Sequence, residues 1–104
     1  MWSTVGVPDS SLELPDGLVL DRVTRDFTPE SVPPGLLRAH RVADGVWGRL
    51  LVREGSLVFV FEDDPDGARD IPAGGTQVIP PGRFHHLEVS GPARFAVEFH
   101  VPGS

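Results

Sequence analysis

Proline and glycine punctuate this chain so often that no long helix fits between them: eleven prolines and twelve glycines are spread over 104 residues. Proline lacks the amide hydrogen that a helix interior needs, and glycine is entropically costly there. Many short elements joined by frequent turns point instead to an all-β fold, a sandwich or a barrel.

Read on that basis, residues 1–16 form an N-terminal arm and residues 17–104 a single barrel domain. The arm contains Pro8, Pro15 and no clean period, and its Trp2 and Val5 are candidates for packing on the barrel or on a second subunit. From Gly17 the pattern gives about eight strands. They are Leu18 to Val23, Leu36 to Val42, Val46 to Arg53, Ser56 to Phe61, Ala68 to Ile71, Thr76 to Ile79, Phe84 to Val89 and Arg94 to Val101. Asp44-Gly45 and Glu54-Gly55 read as turns, residues 62–67 as a hairpin loop, and Pro80-Pro81-Gly82 as a corner. Eight short strands fit a jelly-roll barrel, which limits exposed edges by closing two sheets on each other. The acidic loop lacks the spaced ligands and closing glutamate of a calcium-binding EF-hand and reads as a solvated turn.

Composition narrows the partners. All nine basic residues are arginines, yet the formal charge is −6, which disfavours nucleic acid and anionic membranes alike. There is no 18-residue apolar run for a membrane span and no basic, then apolar, leader pattern at Met1-Trp2-Ser3-Thr4. With no cysteine, neither disulfides nor thiolate metal sites arise, and the expected location is the cytoplasm.

The chemistry concentrates in four histidines, His40, His85, His86 and His100, all in expected strands. Imidazole is the commonest metal-binding side chain. Successive residues of a strand face opposite ways, so His85, Leu87 and Val89 share one face and Phe84, His86 and Glu88 the other. The first face is apolar apart from its histidine, which places His85 inward, where a buried imidazole needs a metal, a water or a hydrogen-bonding group. In the last strand Phe95, Val97, Phe99 and Val101 oppose Ala96, Glu98 and His100. Either the aromatic face is inside, or Glu98 and His100 are and a subunit interface covers the phenylalanines. The faces around His40 rank equally. No nucleophile elbow, phosphate loop or dinucleotide fingerprint occurs.

The spacing Gly74, Pro80, Gly82, His85 resembles the second motif of the cupins, whose histidine is a metal ligand in metal-binding members; Val89 stands where the motif usually closes on asparagine. A closer resemblance spans about residues 14–101. It rests on Leu14-Pro15-Asp16-Gly17-Leu18, Val32-Pro33-Pro34-Gly35-Leu36, and His40 followed by Gly45-Val46-Trp47-Gly48-Arg49. Val52, Gly55 and Leu57 continue it, then Pro81-Gly82-Arg83-Phe84-His85-His86-Leu87-Glu88 and Phe95 to Phe99. These segments resemble the small cupin-like family of YeaR-type proteins and of the N-terminal domain of some TehB tellurite-resistance proteins. The resemblance implies a cupin-type jelly-roll barrel (a double-stranded β-helix), frequently a homodimer, with a bound divalent metal. The first cupin motif departs, however: Gly48 occupies the glutamate slot, and only His40 lies near the paired histidine slots. No counterpart of the TehB methyltransferase domain is expected within these 104 residues, so methyl transfer is not carried over.

Two functional readings follow. In the first, His40, His85 and Glu98 hold zinc, iron, nickel or manganese, with His100 or Glu88 as substitute ligands, and the ion assists oxygenase, isomerase or lyase chemistry on a small molecule. Trp47, Phe59, Phe61 and Phe84 supply an apolar wall. In the second, the pocket binds a small molecule or oxyanion without turnover, with Arg38, Arg49 or His40 as donors, as a stress-response module of the TehB and YeaR type. A purely structural pair of core histidines is the bland third.

Overall fold

The computed structural model describes residues 12–103; the expected packing of Trp2 and Val5 lies outside them. The described residues contain six antiparallel strands: β1 (Leu18–Val23), β2 (Trp47–Phe61), β3 (Arg69–Pro72), β4 (Thr76–Ile79), β5 (His85–Glu88) and β6 (Ala93–Pro102). Two 3₁₀ turns, Pro34–Leu37 and Pro65–Gly67, are the only helical elements among them, and no helix is long and apolar enough to cross a membrane. The domain is all-β.

β2 organises the whole domain. Its first half pairs with β6 and β4, and β1 adds to the far edge of β6; its second half lies between β3 and β5. One strand therefore belongs to two sheets, and the bend between them closes the sheets over a shared core. The bend falls at Gly55, whose φ of 70° suits a residue without a side chain. A Cβ there would lie 1.9 Å from the carbonyl oxygen of Pro92, so the two backbones touch only because Gly55 is glycine. Alternate residues of β2 then point inward on both sheets. Leu50, Ile71 and Phe95 are completely buried, and Leu57, Phe59 and Phe61 join them from the second half. Full burial of each such side chain contributes about 1.5–3 kcal/mol.

Two of the eight expected strands are absent as such. Val46 to Arg53 and Ser56 to Phe61 merge into β2, because Glu54-Gly55 turns a corner instead of reversing the chain. Leu36 to Val42 does not form a strand: Pro33 and Pro34 begin a 3₁₀ turn, and the chain leaves it extended at Arg38 to make a single bridge, His40 to His85. The remaining strands lie within a residue or two of their expected bounds.

Candidate functional site: an imidazole-lined cavity

That lone bridge builds the site. His40 and His85 exchange both backbone hydrogen bonds, at 2.9 and 2.8 Å, and this pins the 38–42 segment against β5. Their rings meet edge to face with centroids 4.2 Å apart. His85 is 2% exposed and stacks on Phe59 at 5.2 Å. Both imidazoles line a cavity of about 240 Å³, walled by Phe27, Val42, Leu50, Ile79, Leu87, Val97 and Phe99.

The protonation pattern follows from the backbone. Nδ1 of His40 lies 2.9 Å from the Arg38 carbonyl, and Nδ1 of His85 lies 2.9 Å from the Arg83 carbonyl. A carbonyl only accepts, so each Nδ1 carries a proton and donates it. Burial pushes the His85 pKa from 6.5 down to about 4, against the opposing pull of the Arg83 carbonyl. His85 is therefore neutral near pH 7, with its Nε2 lone pair as an acceptor.

Other expected site residues sit elsewhere. Phe59 belongs to the inner wall behind His85. Glu98 does not join the two imidazoles: in the β2–β6 register Leu50 faces Val97 on the inner side, so the neighbouring pair Arg49 and Glu98 faces outward. There Glu98 accepts from Arg49 at 2.9 Å and bonds His100 Nε2 at 2.9 Å, and Trp47 pairs with His100 on the same face. Of the two orientations open for the last strand, the structure adopts the one with the aromatics inside. Phe84 is half exposed, beside Arg41. Glu88 is exposed and bonds His86, which also bonds Glu62. The Arg38 side chain is exposed, and the residue reaches the site only through its carbonyl.

Two residues missing from the expected set do line the cavity, Arg22 and Arg41. Both are exposed, so they mark its mouth, and both also line an adjoining surface depression. Arg22 lies over the Phe99 ring at 4.4 Å. It reaches this side because the β1–β6 register shifts between Leu20 and Arg22, which puts Arg22 opposite the inward Phe99. Simple alternation does not reveal such a shift.

This donor set does not fit a resident divalent cation. Two imidazoles are present, but among the described residues no carboxylate lines the cavity, and two guanidiniums stand at its mouth. No group of three or more His, Asp or Glu able to hold an ion occurs among the described residues. Three protein ligands are the usual minimum for a catalytic zinc, and fixed positive charge raises the cost of adding a dication.

Residues 22–97 match the TehB-like domain family. The chain belongs to that family. No curated protein matches by sequence. Among solved structures, this TehB-like domain is similar to a protein from E. coli K12, with a TM-score of 0.81 and 26% identity over 89% of this chain and 99% of that one. TehB from Haemophilus influenzae superposes with a TM-score of 0.74 at 22% identity, over 84% of this chain but only 32% of TehB. A cupin-2 domain protein from Shewanella frigidimarina, at 19% identity and a TM-score of 0.51, covers 93% of this chain and 82% of its own. The fold is thus cupin-like, and the domain corresponds to about a third of TehB.

Proposed function

We propose that this TehB-like domain is a binding module, without turnover, for a small molecule that enters the barrel between Arg22 and Arg41. The observation that carries the reading is a built cavity whose walls are apolar and whose polar groups converge. At about 240 Å³ it lies below the usual range for drug-sized ligands, so the ligand is small. Nε2 of His85, and of His40 in its neutral form, offers an acceptor to a hydroxyl or amine on that ligand. No third His, Asp or Glu stands with the two rings among the described residues, which favours binding over metal-assisted chemistry.

A titration followed by two-dimensional amide NMR tests this, with phenol as a neutral probe carrying one donor. Phenol is expected to shift the amides of Leu50, Ile79, Leu87 and Val97 in a saturable way. Leu36→Phe, on the partly exposed turn at the cavity wall, is expected to weaken that binding by narrowing the space. Saturable shifts elsewhere on the barrel, or none with a folded protein, would overturn the proposal.

A further inference from the structure

Resting on the cavity as a small-molecule site, we infer that its ligand is a small organic acid: an apolar body in the barrel, a donor group reaching the two imidazoles, and an acidic group at the mouth between Arg22 and Arg41. This chain carries a net charge of −6, so arginines facing one cavity with no carboxylate among its described lining residues run against the average surface. Of the other arginines, Arg49 pairs with Glu98, Arg53 and Arg94 with Asp26, and Arg83 with Asp63, while Arg25 and Arg38 are exposed and line no cavity with the histidines. Arg22 has no carboxylate partner among the described residues and is held instead over Phe99. Arg41 lies beside Phe84 and reaches one carboxylate among the described residues, Asp44, at 3.4 Å, whose side chain is 93% exposed. So long a contact to a solvated carboxylate is worth little and yields readily to a better acceptor.

The two ends of the cavity are chemically distinct. The mouth offers guanidinium donors, which suit a carboxylate or a similar planar oxyanion. The inner end offers Nε2 acceptors and repels nothing neutral. A bare inorganic oxyanion would satisfy the arginines and leave the apolar wall unused; a neutral hydroxyl compound would do the reverse. An acid with a compact apolar skeleton and a hydroxyl or amine uses both.

Isothermal titration of the full chain with 2-hydroxybenzoate, phenol and inorganic phosphate tests the inference. The expected result is at least tenfold tighter binding of 2-hydroxybenzoate than of phenol or phosphate, with about a tenfold loss in Arg22→Gln and in Arg41→Gln. Arg25→Gln, on an exposed residue outside the cavity, is expected to leave affinity unchanged. Phenol binding should survive both mouth substitutions, which shows that the variants fold. Equal affinity for phenol and 2-hydroxybenzoate, insensitive to Arg22→Gln and Arg41→Gln, would overturn the acid and leave the cavity reading intact. Phosphate binding as tight as 2-hydroxybenzoate would assign the mouth to an inorganic oxyanion and overturn it too. Failure of every probe would remove the cavity reading itself, and the acid with it.

Discussion

The Phe59 ring lies nearly parallel to the His85 imidazole, 5.2 Å away and inclined by only 19°. With the His40 ring at 4.2 Å on another side, the imidazole is largely covered by carbon and by a second ring. Burial leaves a proton added there poorly solvated, which is the largest cause of the depressed His85 pKa, and the neighbouring His40 adds to it.

This enclosure gives stability a defined pH dependence. The unfolded chain takes up a proton at His85 near 6.5, whereas the folded chain resists until about 4. Between those values the unfolded state binds more protons, so stability falls as pH falls and levels off below 4. The slope from this one group is at most about 1.4 kcal/mol per pH unit. His86 acts in the opposite sense: Glu88 and Glu62 raise its pKa, so its contribution is full below 6.5 and is lost as pH rises through its folded value. Thermal melts of the wild type should therefore decline from pH 6.5 to 4.5, and those of His85→Leu should be nearly flat there. Parallel declines in both proteins would show that His85 is not the titrating group.

The corner at Gly55 makes a sharper prediction about folding. Alanine at this position meets the Pro92 carbonyl oxygen and adopts a left-handed backbone, so Gly55→Ala should cost roughly 2–4 kcal/mol in urea unfolding. Gly35→Ala meets nothing within 4 Å and has no positive φ, and it should be neutral within about 0.5 kcal/mol. Comparable losses in the two variants would mean that the close approach of the two backbones does not limit the fold.

Much of this arrangement was legible in the chain, and the exceptions have physical causes. Alternation in His85, Leu87 and Glu88 was enough to put the first two inside and the third out, because one face must be dry. The same logic left β6 open, since Glu98 and His100 satisfy each other and Arg49 and so need no lumen. Leu36 to Val42 looked like a strand because its residues are β-tolerant. Yet Pro33-Pro34 leads into a local i to i+3 turn that carries no periodic signature. Arg22 was hidden by the register shift at Asp21, a one-residue event that moves a side chain across the sheet without altering composition.

Metal binding, the leading expectation from the histidines, can be tested against this donor set. An ion bound at a hundred times its Kd would stabilise the fold by about 2.7 kcal/mol, a readily measured rise in Tm. With two imidazoles and two arginines around the cavity, chelator-treated protein and protein supplied with zinc, nickel or manganese should melt within about a degree of each other. A rise with one ion that disappears in both His40→Ala and His85→Ala would restore the metal site.

Glu98 separates the outer face from the inner one. Its carboxylate serves Arg49 and His100 on the side away from the cavity, and it is 14% exposed while Arg49 is 38% exposed. Glu98→Gln keeps the shape and removes the charge, so the loss should be modest, about 1 kcal/mol in urea unfolding, because the partner is partly solvated. Affinity for phenol should be unchanged within twofold, since no atom of Glu98 lines the cavity. A tenfold loss of phenol binding in this variant, with stability intact, would mean that β6 presents its other face to the lumen. In that case Glu98 would meet His40 and His85 after all, and the carboxylate that a metal site needs would be supplied from β6.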